Sequence, residues 1–282
     1  MMLVFGKTGQ VTCELQLLLQ NACFLSREEA DLSDPEACAR LIREIKPEAV
    51  INAAAYTAVD KAEDNEELAR TINGAAPGEM AKVCAELGIP FVHISTDYVF
   101  DGSCNQPLSP NHATNPLGAY GRTKLAGEKL IAEAAPVHAI LRTSWVFSSF
   151  GNNFVKTMLR LSETRDTLNV VSDQIGGPTS ARSIAFAAMI MARQLTNAPD
   201  KTGVYHFSGK PDVSWADFAR VIFADAGKEM TVNDIPSSEY PTPAERPMNS
   251  RLDCSTLSEF GLSRPDWRAD LKSVLIKLGA KA

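Results

Sequence analysis

Met1-Met2-Leu3-Val4-Phe5-Gly6-Lys7-Thr8-Gly9-Gln10-Val11-Thr12, followed by Glu14-Leu15-Gln16-Leu17-Leu18-Leu19, reads as strand, glycine turn and helix in immediate succession. Met1 to Phe5 is a short apolar run stopped by Gly6, the pattern of a buried strand. Gly6 and Gly9 fit a G-x-x-G-x-x-G dinucleotide turn, in which glycines permit a sharp bend and close backbone approach to a pyrophosphate. The helix that follows offers free N–H groups and the positive end of its dipole to that anion. Thr12 stands where the third glycine is expected. That glycine normally allows close helix–strand packing, so looser packing is expected here.

The same unit then repeats. Ala22 to Leu25 is a second strand, and Ser26-Arg27 follows it. NAD-binding folds often place an acidic residue at this point to hold the ribose 2′-OH; Arg27 is read instead as a cation for the 2′-phosphate of NADP. Ser33-Asp34-Pro35 opens a helix that runs to about Ile45, and Pro47 stops it. Ala49 to Asn52 is a third strand, ending in small residues (Ala53, Ala54, Ala55) that let a flat ligand come close. A long helical region from Asn65 to Leu87 is closed by Gly88 and Pro90, and Phe91 to Ser95 is the fourth strand. Strict alternation of strand and helix predicts a parallel, doubly wound sheet with right-handed crossovers. Ligands bind such sheets beyond the carboxyl ends of the strands, where the Gly6 turn, Ala53 to Thr57 and Thr96 all fall.

Downstream, Tyr120 and Lys124 sit four residues apart at the start of a helix-prone run, hence on one helix face. A free Tyr has a pKa of about 10, and a neighbouring cation favours its phenolate, so Lys124 is expected to lower the Tyr120 pKa. Thr96 adds a hydroxyl at the mouth of the same site. Together these three suit a carbonyl: Thr96 and Tyr120 hydrogen-bond the oxygen, Tyr120 exchanges the proton, and Lys124 tunes Tyr120 and grips a cofactor ribose.

The 282 residues carry a net charge of -6 with no basic block, which argues against nucleic acid as a partner. No apolar run approaches a membrane span, and Met1 to Phe5 lacks the basic region and long apolar core of a signal peptide, so a cytoplasmic location is expected. The six cysteines show no C-x-x-C pair and the four histidines no metal-ligand spacing, so no metal ligands can be named.

Beyond the turn, the blocks Asn52 to Glu63, Ser95 to Phe100, Tyr120 to Glu128, Arg142 to Phe147, Gly151 to Phe154 and Tyr240 to Pro247 follow in order along the whole chain. In this combination the sequence resembles the extended short-chain dehydrogenase/reductase superfamily, and within it the dTDP-4-dehydrorhamnose reductase family. The resemblance implies a Rossmann-type α/β fold and Thr96, Tyr120 and Lys124 as catalytic residues. NADPH or NADH would be the hydride donor, and the reaction would reduce the C4 ketone of dTDP-4-dehydro-L-rhamnose in the last step of dTDP-L-rhamnose synthesis, a precursor for lipopolysaccharide O-antigen. Gly6, Gly9, Gln10, Val11, Ala53, Ala54 and Ala55, with Asp31 and Leu32 near the adenine, would bind the cofactor. Thr57, Val59, Asp97, Tyr98, Trp145 and Asn153 would border the sugar nucleotide. Family members can form homodimers, some with Mg2+ at the interface, so a homodimer and Mg2+ stand as expectations from resemblance alone. Ala119 departs from the family, which usually carries a larger residue before the catalytic Tyr.

In the second half, strands are expected at Ala139 to Arg142, Leu168 to Val171, Gly203 to Phe207 and Thr231 to Ile235. Helices are expected at Phe154 to Ser162, Ser180 to Leu195 and Trp215 to Ala226, with a loop from Asp173 to Thr179. Pro236 to Pro247, rich in Pro and Ser, reads as a binding or lid segment. Its Arg246 is a candidate pyrophosphate clamp, because Arg suits bidentate phosphate contacts. A dinucleotide-binding domain over 1–150, to which later segments return, and a smaller α/β substrate domain over 151–282 are expected. Two rival functions fit parts of the same pattern. One is another extended-family sugar-nucleotide epimerase or 4,6-dehydratase; dehydratases of the superfamily carry a Glu where Tyr98 stands, which argues against elimination chemistry. An intact Thr96, Tyr120 and Lys124 argues against a non-catalytic regulatory subunit.

Overall fold

The computed structural model describes residues 1–134 and 137–280. In chain order the first half comprises β1 (Met2–Phe5), α1 (Gln10–Leu18), β2 (Ala22–Leu25), α2 (Pro35–Ile45), β3 (Ala49–Asn52), α3 (Val59–Asp64), α4 (Glu66–Arg70), a π turn (Thr71–Ala75), α5 (Ala76–Leu87), β4 (Phe91–Thr96), α6 (Ala119–Ala134) and β5 (His138–Thr143). There follow β6 (Val146–Phe147), α7 (Phe154–Leu161), β7 (Thr167–Val171), β8 (Ile175–Gly176), β9 (Thr179–Ser180), α8 (Ala181–Leu195), β10 (Gly203–Phe207), β11 (Val213–Ser214), α9 (Trp215–Asp225), β12 (Thr231–Ile235), β13 (Asn249–Ser250) and α10 (Trp267–Lys277).

Six strands form one parallel sheet in the order β10-β5-β4-β3-β1-β2. Successive strands lie to one side of β1 and then to the other, so the topological switch falls between β1 and β3, where a crevice opens at the carboxyl ends. Period-2 alternation divides the core. Val4, Ile51, Val92 and Leu141 face α1 and α8, whereas Leu3, Phe5, Val50, Phe91 and Ile140 face α2 and α5. Both faces are covered, which is why these strands are almost wholly apolar.

Gly203–Phe207 lies at the edge of this sheet, so the sheet draws on the chain well past residue 150. A third apolar cluster, built on Phe147, Phe218, Ile222, Trp267 and Leu271, holds α7, α9 and α10 together beside the paired strands β7 and β12. Two-residue strands appear inside the expected 173–179 loop, because Ile175 and Gly176 bridge Val213–Ser214 and Asn249–Ser250. The expected 65–87 helical region runs from α4 through the π turn into α5 without leaving helical backbone. Asn73 there turns its side chain to Tyr56 N and O and to Thr123 Oγ1. Among the described residues no helix is long and apolar enough to cross a membrane.

Candidate active site

Gly6 sits at φ 104, where a side chain would be strained, and a Cβ there would meet Thr12 Cγ2 at 3.0 Å and Ala54 Cβ at 3.5 Å. α1 begins directly after Gly9, with no side chain capping its first N–H groups. These groups face the crevice. The expected looser packing at Thr12 is not found. Thr12 is fully buried against Gly6, and its hydroxyl donates to Gly9 O at 2.9 Å. A cavity of about 720 Å³ runs over this turn. It is lined by Gly6, Gly9, Gln10, Val11, Arg27, Asp31, Leu32, Ala53, Ala54, Ala55, Thr57, Val59, Thr96, Asp97, Tyr98, Tyr120, Lys124 and Trp145. Residues far apart in sequence thus share one cleft of the size that binds small ligands. Arg27 is largely exposed on its rim and pairs with Asp31, Nε to Oδ2 at 3.3 Å.

Tyr120 is held by the start of α6, and that start is tightly anchored. Glu63 Oε1 accepts from Ala119 N at 2.8 Å, and Arg122 Nη2 donates to Glu66 Oε2 at 2.7 Å. Ala119 has no exposed surface, so a larger side chain there has no room. Gly121 lies so near Tyr98 that an added Cβ would stand 2.1 Å from its carbonyl oxygen. Thr96 ends β4 and accepts from Tyr98 N at 3.2 Å, starting a short 3-10 turn. Its hydroxyl donates to Asp97 Oδ1 at 3.1 Å, and it shares the cleft lining with Tyr120.

The electrostatics depart from expectation. Tyr120 is not brought down by Lys124: burial pushes its phenol up to about 12, against the opposing hydrogen bond from Thr96. The Lys124 amine is held by β4, with Nζ donating to Ile94 O at 2.7 Å and lying 2.9 Å from His93 Nε2. Burial lowers Lys124 to about 8, with Glu128 opposing. Asp97 is raised to about 6 by burial, against hydrogen bonds from Ser250 and Thr96. Its Oδ2 and Thr143 Oγ1 are buried and have no hydrogen-bond partner among the described residues.

Tyr98 and Trp145 also border a second cavity of about 880 Å³, under the 237–248 segment. Trp145 takes the left-handed conformation, φ 48, and stacks on Trp215 with ring centroids 3.6 Å apart and planes 11° apart. Phe154 tilts against Trp215 at 4.6 Å. Nothing in the sequence linked Trp215 to Trp145, because the pairing depends on α9 folding back over the loop after β5. Arg246 lines this cavity but is already paired: its Nη2 donates to Asp60 Oδ2 at 3.0 Å and Oδ1 at 3.1 Å. Asn153 lines neither cavity. It caps α7 by accepting from Lys156 N at 3.2 Å, and its Nδ2 donates to Gln10 Oε1 at 3.0 Å, so it supports the glycine turn instead. Among the described residues no group of three or more His, Cys, Asp or Glu side chains could hold a metal ion.

Comparison with known proteins agrees with this geometry. The family model for the RmlD substrate binding domain matches residues 1–279. The dTDP-4-dehydrorhamnose reductase of Escherichia coli K12 is 43% identical over 290 residues, covering 98% of this chain and 97% of its own. That of Sinorhizobium fredii is 43% identical over 282 residues, covering 96% of this chain and 95% of its own. Among solved structures, a dTDP-4-dehydrorhamnose reductase from Clostridium acetobutylicum superposes with a TM-score of 0.92 at 37% identity, covering 99% of both chains. One from Bacillus anthracis in complex with NADP superposes at 0.91 with 33% identity, covering 98% of both. With this cleft and these relatives, the chain belongs to the dTDP-4-dehydrorhamnose reductase family.

Proposed function

We propose that the chain reduces the C4 ketone of dTDP-4-dehydro-L-rhamnose to dTDP-L-rhamnose, with Tyr120 as proton donor. The observation that carries this reading is the gathering of Thr96, Tyr120 and Lys124 on one cleft with the glycine turn. The cleft fits a nicotinamide dinucleotide: Gly6 and the small Ala54 leave a narrow floor, and the uncapped start of α1 suits a pyrophosphate. Gly6, Gly9, Gln10, Val11, Ala53, Ala54, Ala55 and Lys124 would hold the cofactor, with Asp31 and Leu32 beside the adenine and Arg27 at a 2′-phosphate. Bound there, it supplies the hydride. A phenol pushed up to about 12 stays protonated at neutral pH, the form a donor must take. Negative charge developing on the substrate oxygen meets the Thr96 and Tyr120 hydroxyls, which are already in place and need no reorganisation. The Tyr120 proton passes to that oxygen, and the Lys124 cation stabilises the phenolate left behind.

Thr57, Val59, Asp97 and Tyr98 form the substrate side of the cleft, and the Trp145–Trp215 pair offers an aromatic face to a base or sugar. Arg246 serves the pyrophosphate by exchanging Asp60 for it. Asn153 acts through Gln10. The test is nicotinamide oxidation by the purified protein given the 4-keto sugar nucleotide, with NADPH and with NADH. Tyr120→Phe should lower turnover at least about a hundredfold while leaving cofactor binding within a small factor of the parent; retained turnover would remove Tyr120 from the mechanism. Arg27→Ala should shift the NADPH-to-NADH preference in kcat/KM toward NADH.

A further inference from the structure

Beside the cleft, a short chain through Asn52 and His93, which lie outside its lining, ends on the Lys124 amine. Ala54 N–H donates to Asn52 Oδ1 at 3.1 Å. That contact fixes the amide, so Asn52 Nδ2 faces His93 Nδ1, 3.2 Å away. An amide NH2 can only donate, so Nδ1 is the unprotonated nitrogen, and neutral His93 carries its proton on Nε2. Nε2 lies 2.9 Å from Lys124 Nζ. Two N–H groups cannot bond head to head. Lys124 must turn a lone pair to His93, which it possesses only as a neutral amine, while a Nζ hydrogen goes to Ile94 O at 2.7 Å. The other arrangement puts the His93 proton on Nδ1 and turns the amide around, which strands the Ala54 N–H against an NH2.

We infer that His93, oriented by Asn52, is a positioning residue that holds Lys124 and sets its protonation state through its own tautomer. This rests on the reading of Tyr120 and Lys124 as the working pair. Burial acts in the same direction on both groups. His93 is held well below the usual imidazole range by burial and by Lys124, and Lys124 is lowered to about 8. The remaining ionisable group acting on Lys124 is Glu128, on its own helix, which favours the ammonium but is itself bound by Arg142 from β5 and by Ser95 from β4. Tyr120 and Asp97 border the cleft that Lys124 lines. The His93 contact thus favours the amine form of Lys124, and a ligand that turns Lys124 from His93 toward the cleft favours the ammonium that supports Tyr120.

Two measurements decide this. The first is the 15N spectrum of the His93 ring in the unaltered protein at neutral pH, assigned through the backbone. Nε2 protonated and Nδ1 bare is expected; the reverse tautomer, or an imidazolium, overturns the inference. Asn52→Asp, which offers Nδ1 only an acceptor while still accepting from Ala54, should reverse the tautomer. The second is the pH profile of kcat/KM for His93→Gln, whose amide oxygen can accept from the ammonium. The Lys124 ionisation should move upward by about one unit or more, a tenfold change in its protonation constant. A purely structural His93 would alter stability and leave that ionisation in place, which would sink the proposal. Tyr120→Phe is assayed alongside. If it keeps full turnover, the proton-donor reading fails whatever His93 does. If it is inactive while His93→Gln keeps the parent profile, only the present inference fails.

Discussion

Gly121 shows how much of this site depends on an atom that is missing. A methyl there would stand 2.1 Å from Tyr98 O and 2.9 Å from Pro116 Cβ, and backbone cannot yield as a side-chain tip does. Gly121→Ala must therefore push α6 away from the 97–99 turn, carrying Tyr120 off Thr96. The expected result is a loss of about 1–3 kcal/mol of stability, the usual penalty of overpacking, with kcat reduced at least about tenfold, since small misplacements of reacting groups are costly. Gly74→Ala is the control. Its methyl would find Ala126 Cβ at 3.5 Å, an ordinary contact, so kcat should hold. Urea unfolding and steady-state rates on both variants check this, and a Gly121→Ala enzyme with parental kcat would refute it. Thr96, Tyr120 and Lys124 were legible because their chemistry and spacing identify them within the strand–helix pattern. What surrounds them was not. The Lys124 partners lie on β4, and a lysine's neighbours cannot be read from its own helix. The expected lowering of Tyr120 failed for that reason, because His93 and Ile94 already hold the amine.

At the level of elements, the strands and helices that fill the main sheet follow from apolar runs and caps, and even Thr12 left the α1 packing intact. Elements of two residues carry no periodicity, so β8, β9, β11 and β13 could not be foreseen; they exist only where neighbours supply partners. The π turn before α5 likewise depends on Asn73 reaching Tyr56 and Thr123, and such turns often mark functional sites. The 236–247 segment is tied down through Asp60, which accepts from Arg246 and from Ala244 N at 3.2 Å. That pair is partly exposed, with side chains 25% and 42% accessible, so it is worth at most about 1 kcal/mol. Asp60→Asn should release Arg246 and lower KM for the sugar nucleotide by up to about fivefold, with kcat little changed. Arg246→Lys, which loses the bidentate fork, should raise KM by about tenfold. KM measured at low and high salt tests this. A KM unmoved by both substitutions would remove the latch from substrate binding.

Across the whole molecule, the buried ionisable groups of the site set its stability against its function. Asp97 ionises at about 6 in the folded protein and at 3.8 when free. Between those values the folded state binds more protons, so this group's contribution is fully present below pH 4 and is lost as pH rises through 6. Lys124 ionises at about 8 when folded and at 10.5 when free. Here the unfolded chain binds more protons, so stability rises with pH from about 8 toward 10, until Tyr120, displaced from 10 to about 12, begins to act in the opposite direction. Between pH 6 and 8 both effects are unfavourable, each on the order of 2–3 kcal/mol by linkage. The molecule is thus least helped by these two buried groups around neutral pH. Substitution isolates each term, because any fixed effect of the new side chain cancels between two pH values. The stability of Asp97→Asn relative to the parent should climb by about 2–3 kcal/mol from pH 4 to pH 7. Relative to Lys124→Met, the parent should gain by a similar amount from pH 7 to pH 10. Urea unfolding of the three proteins at these pH values provides the measurement. Parallel stability curves for parent and variants would mean that neither group is strained by burial, and that the proton inventory of the cleft is ordinary.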